Sequence, residues 1–243
     1  LRGPVSIVAI SDKLNEKDAY RYPFAIRDKL DSALGSIYNG LNLDKRKDAK
    51  EYLILQIDKN PLYFNFDALE GALGKEEFLD VMIEKASDKN NPNRNRYISR
   101  IWFYTDKKKV LDFLESIISD ETEKLSVRIT AVERLWSSIY SERENYDHAR
   151  HFEAAIKVLE KGLRINDASI NLQTLNVLKE ANRYGSLFQF TNGVRQFVEQ
   201  SQQLISVHLN NPDDKIKIAA IEVITNFNLK DQGKNLLDLL ETA

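Results

Sequence analysis

One spacing of large and small apolar residues occurs three times in this chain and constrains the fold more than any other feature. Val127, Ala131 and Leu135 stand four residues apart, as do Ile170, Thr174 and Leu178, and again Ile216, Ala220 and Ile224. At about 100° per residue, positions i, i+4 and i+8 share one stripe of a helix. A small residue between two bulky ones lets a neighbouring helix approach while the flanking side chains fill the groove. The apolar arc is wider than one seam. Around Val127 it also takes in Ile129, Val132, Trp136 and Ile139, which leaves Thr130, Glu133, Arg134 and Ser137 for water. A helix apolar over half its circumference needs neighbours on two sides, and stacked helical pairs supply them. The three stretches begin at 127, 170 and 216, so they are 43 and 46 positions apart, the length of a two-helix repeat.

The same stretches share further positions. Asp167 and Asp213 stand three residues before Ile170 and Ile216; Arg128 and Lys217 directly follow Val127 and Ile216. The resulting pattern, an aspartate, then V/I-R/K-x-x-A-x-x-x-L/I, resembles the second helix of a HEAT repeat. Its fullest form runs from Asp213 to Ile224. The first copy departs from it with Lys124 at the aspartate position, and the second with Asn171 where Arg or Lys is expected. The likeness covers roughly residues 107–243. It implies an all-α superhelix, a solenoid of about five helical hairpins whose second helices line a concave side, used as a scaffold for other proteins. The expected organisation is one domain over 1–243, with 1–87 a divergent N-terminal cap and 96–243 the regular repeats.

Composition agrees with a folded helical protein. Hydrophobic residues make up 42% and charged residues 30%, and nine Gly and five Pro among 243 residues suit long helices with short turns. A formal net charge of −2 gives no overall attraction to nucleic acid or to an anionic membrane. The absence of cysteine excludes disulfides, thiolate metal sites and cysteine nucleophiles. The chain begins at Leu1 rather than Met, read here as the removal of a preceding segment, and Pro4–Ile10 lacks the flanks of a signal peptide. These features fit a cytoplasmic and an exported bacterial protein equally.

In chain order, the first 22 residues read as an irregular or short-strand start at Val5–Ile10. Pro23 opens a helix over Phe24–Ile37, ended by Asn39-Gly40, and Asp44 caps a second that runs to Asp58. Helices Phe66–Leu73 and Lys75–Ala86 are hinged at Gly74. Residues 88–95 form the most loop-like stretch and separate the irregular front from the regular back. Helices are then expected at Arg96–Tyr104, Lys107–Ser119, Lys124–Tyr140, Asp147–Leu163 and Asn192–Leu209, besides those following Asp167 and Asp213. A last one begins over Lys234–Leu240.

Three groups of residues are candidates for function. The polar positions of the second helices form rows on the expected concave side: Thr130, Gln173 and Ala219 three residues after each anchor, Glu133, Asn176 and Glu222 six after, and Ser137, Glu180 and Asn226 ten after. This polar, mildly acidic surface suits a protein or peptide bearing Lys or Arg, and it is a poor cradle for phosphates. The second group is basic and aromatic. Arg94, Arg96, Arg100, Lys107, Lys108 and Lys109, with Tyr97, Trp102, Phe103 and Tyr104 among them, match what phosphates and stacked bases need. The alternative function is therefore a nucleic-acid-binding protein, and DNA glycosylases built of HEAT-like repeats make that a named class. The third group is His148 and His151, with Glu144 before them, a weak metal candidate that lacks the spacing of a zinc protease. No phosphate loop or nucleophile elbow is present, so the expectation is a non-enzymatic protein without a cofactor.

Overall fold

The computed structural model describes residues 24–59, 63–101, 107–140, 148–181 and 188–229. Among the described residues there are twelve α-helices, one 3-10 helix and no strand. No described helix is long and apolar enough to cross a membrane. The chain divides after Asp106 into two units, Leu1–Asp106 and Lys107–Ala243. The expected segments at 5–10 and 234–240 lie outside the described residues.

The first unit contains α1 (Phe24–Asn39), α2 (Leu43–Lys59), α3 (Tyr63–Leu73), α4 (Lys75–Ser87) and α5 (Arg94–Ser99). Helix α1 packs along α3 so closely that a Cβ on Gly35 would stand 2.4 Å from the Gly71 carbonyl oxygen. Gly74, at φ 77°, takes the left-handed backbone that lets α3 turn directly into α4. The cap of α2 is Asn42, whose Oδ1 accepts from the Lys45 amide at 3.0 Å, and not Asp44, which already lies in the first turn. The loop at 88–95 does not separate front from back; it joins α4 to α5, which pack together. Asp58 at the end of α2 holds this corner. Tyr97 Oη donates to its carboxylate at 2.7 Å, and Asn93 Nδ2 donates to its backbone carbonyl at 2.9 Å. Burial first, and the bond to Asp58 second, hold the Tyr97 phenol far above the usual tyrosine range. Helix α5 is shorter than the expected Arg96–Tyr104, and Trp102, Phe103 and Tyr104 lie outside the described residues.

The second unit contains α6 (Lys107–Ser119), α7 (Leu125–Tyr140), α8 (His148–Arg164), α9 (Ala168–Ala181), α10 (Phe188–Gln200), α11 (Gln202–Ser206), a 3-10 helix (Val207–Asn210) and α12 (Asp214–Phe227). Pairing is sequential: α6 with α7, α8 with α9, and α11 and the 3-10 helix with α12. First helices also touch first helices (α6–α8, α8–α10), and second touch second (α7–α9, α9–α12). The expected helix Asn192–Leu209 begins earlier and breaks at Ser201, where φ −94° and ψ 5° leave the helical region.

The large-small-large stripe is the buried seam of these contacts. Eight of its nine residues are buried, with Ile170 the half-exposed one. Asp167 and Asp213 are N-caps: their carboxylates accept from the amides of Ile170 at 3.0 Å and Lys215 at 2.9 Å. The position after the anchor has a different job. Arg128 is buried and its Nε donates to the Ile118 carbonyl at the end of α6 (2.9 Å). Asn171, also buried, donates through Nδ2 to the Gly162 and Ile165 carbonyls at the end of α8, both at 2.9 Å. Each side chain satisfies carbonyls that the end of a helix leaves without intrahelical partners. The first unit uses the same device: Arg46 donates to Asn39 and Leu41 after α1, and Arg94 Nε to Ala86 in the last turn of α4.

Candidate functional site

The predicted partner-binding residues lie on the second helices α7, α9 and α12, which touch in succession, but the three rows have different fates. The row nearest the seam is buried at Thr130 and Ala219 and half-exposed at Gln173. Thr130 is 7% exposed and donates to the Ser126 carbonyl at 3.0 Å; Ala219 is buried. Gln173 reaches across from α9 to α7, where its Nε2 donates to Thr130 Oγ1 at 2.9 Å and to the Ser126 carbonyl at 3.0 Å. Thr130 and Ala219 are hidden in the helix contact, while Gln173 bridges the two helices and stays half-exposed. Ser137, expected in water, is likewise only 7% exposed and donates to the Glu133 carbonyl at 2.8 Å. A hydroxyl that bonds its own helix one turn back enters a core at little cost.

The other predicted residues reach the surface. Glu133, Asn176, Glu180 and Glu222 are half-exposed and Asn226 is exposed. Two cations that the sequence rows leave out stand among them. Arg134 pairs with Glu133 at 2.8 Å, and Lys179 pairs with Glu222 at 3.1 Å across the α9–α12 seam. Asn226 Nδ2 donates at 3.4 Å to the Lys179 carbonyl at the same seam. The face therefore displays three carboxylates with two cations, and is closer to neutral than its acids alone suggest. Periodicity counts positions along one helix, so it did not register that Lys179 and Glu222, on successive copies, meet.

The basic group is not one cluster of free cations. Its members fall in different units: Arg94, Arg96 and Arg100 in the first, Lys107, Lys108 and Lys109 in the second. Arg94 is 6% exposed and bonded to the Ala86 carbonyl, which places its guanidinium inside the protein. Arg100 donates to Asp67 at 2.6 Å and lies over the Phe66 ring, 5.4 Å from its centroid. Phe66 in turn meets the Tyr97 ring edge-on at 5.6 Å, so Tyr97 is a core residue rather than a stacking platform. Arg96, Lys108 and Lys109 are exposed, with Lys108 bonded to Asp112 at 2.9 Å; the Lys107 side chain is outside the described residues.

His148 and His151 fall in the first turn of α8, but their side chains and Glu144 lie outside the described residues. Among the described residues no group of three or more His, Asp or Glu could hold a metal ion. Trp136 is buried and stacks on Phe152 of α8, ring centroids 6.3 Å apart, which makes it part of the α7–α8 contact. Compared with protein-family models, curated proteins and solved structures, the chain matches none.

Proposed function

We propose that the second unit is a HEAT-like stack of helical pairs that serves as a non-enzymatic scaffold, with α7, α9 and α12 forming a concave side on which a partner protein or peptide lies. The observation that supports this is the order of contacts: each second helix touches the next, through stripes repeated at 127, 170 and 216. Such an order lines up the outward polar positions of successive helices as one continuous surface. The partner is a segment rich in Lys or Arg, engaging Glu133, Glu180 and Glu222, with Asn176 and Asn226 as hydrogen-bonding groups between them. Arg134 and Lys179 orient two of these acids and discriminate against acidic segments.

The test compares lysine- and arginine-rich peptides with acidic peptides of equal length, by fluorescence anisotropy against the full chain. Basic peptides should bind more tightly. The triple change Glu133→Lys, Glu180→Lys, Glu222→Lys should weaken them by about tenfold or more, with the circular dichroism of the helices unchanged. Equal affinity for both peptide classes, or indifference to the triple change, would remove the proposal. Duplex DNA binding that falls steeply with salt would transfer it to the nucleic-acid alternative.

A further inference from the structure

We infer that His208 is a proton-sensitive latch that holds the third helical pair of the second unit against the end of α8. His208 lies in the 3-10 helix Val207–Asn210, which packs on α12, while the adjoining α11 packs on α8. It is 7% exposed. The imidazole stands beside the backbone of Leu163, in the last turn of α8, and its Nε2 is buried with no hydrogen-bond partner.

This arrangement suits a neutral ring and penalises a charged one. In the neutral form Nδ1 can carry the proton and Nε2 keeps only a lone pair, buried without a partner. Protonation would add an N–H that has no acceptor and a charge that has left water. A counter-charge is not at hand. On α8, Glu160 is bonded to Arg164 and Lys161 is exposed; on α10, Arg195 and Glu199 are exposed. On α12, Lys217 is bonded to Asp214, Lys215 is exposed and Glu222 is paired with Lys179. Helix α11 and the rest of the 3-10 helix carry no charged residue. Among the described residues of this unit, Arg128 is the one other charged side chain that is buried, and it is tied to Ile118. Burial accordingly pushes the His208 ring below the usual histidine range, and the Leu163 backbone beside it offsets this only in part. The first two pairs close their helix ends with Arg128 and Asn171, which do not change charge near neutrality. At the junction between the second and third pairs, His208 is the side chain that does.

The sign follows from linkage. The unfolded chain takes up the proton near pH 6.5 and the folded chain does so only lower, so the latch is fully effective above about pH 6.5 and weakens as pH falls below it. The experiment is hydrogen exchange of the full chain between pH 8 and pH 5, corrected for intrinsic rates, on wild type, His208→Gln and His208→Phe. In the wild type, protection of 202–227 should fall by up to about tenfold per pH unit below 6.5, while α6 and α7 change less. Either variant should lack that limb. The His208 resonance, assigned among the three histidines by its loss in His208→Gln, should titrate below 6.5 in the wild type. A ring that titrates at or above 6.5, or identical pH dependence in wild type and His208→Gln, would overturn the inference, and the ring titration decides even if His208→Phe fails to fold.

Discussion

Gly162 explains why the second copy of the stripe has Thr174 where the others have alanine. A Cβ on Gly162 would stand 2.2 Å from Thr174 Oγ1 and 3.2 Å from Ile129 Cδ1, so the close approach of α8 to its neighbours depends on the missing methyl. Gly162→Ala should therefore destabilise the protein by about 1–3 kcal/mol through overpacking. That is opposite in sign to the gain of up to about 1 kcal/mol that the same change gives at an open helical position. Denaturant unfolding of the variant reads the difference, and a neutral or stabilising result would mean that the contact is looser than described. Nothing in the sequence marks this glycine, because its reason is a side chain twelve positions further on. Thr130 and Ser137 are buried against their polar pattern for a related cause: a small hydroxyl looks polar in a sequence and yet satisfies itself on the preceding turn.

At the scale of the helix, the most useful signals were the ones with a local mechanism. Gly74 as the hinge and the alternation of bulky and small residues describe forces that act within a few residues; so do Asp167 and Asp213, which the repeat pattern marks only by position and the structure shows as caps. The break at Ser201 was not legible, since Gln200 to Gln203 are all compatible with a continuing helix and only packing against α8 and α12 decides otherwise. The position after each anchor was read as a basic residue of the repeat. In the first two copies it holds a donor that reaches the end of the previous helix, which is why Asn171 serves in place of Arg, whereas Lys217 in the third pairs with Asp214 of its own helix. Arg128→Met and Asn171→Leu should each lower stability by about 1–3 kcal/mol, the cost of leaving buried carbonyls without a donor. Lys217→Met, whose parent side chain pairs with exposed Asp214, should cost less than about 1 kcal/mol. Equal losses at all three positions in thermal or chemical unfolding would contradict the capping role.

For the whole molecule, the helical class was legible from periodicity and composition, and the contact of successive second helices from a stripe that recurs 43 and 46 residues apart. The candidate site was legible only in part. Positions six and ten after the anchor reach the surface except at Ser137, whereas the third forms the seam, because a helix with neighbours on two sides hides more of its circumference than one stripe predicts. Long-range partners such as Gln173 with Thr130, or Lys179 with Glu222, depend on how successive pairs align, and no single window of sequence contains both members. The same partners supply the most direct test of the stacked-pair account, since a chain without cysteine gives no background in cross-linking. Thr130→Cys with Gln173→Cys, and separately Lys179→Cys with Glu222→Cys, would be oxidised or treated with a short bis-maleimide in the folded full chain. Successive pairs stacked through α7, α9 and α12 predict an intramolecular link in both double variants; failure of either pair to link while the protein remains folded would contradict the stack.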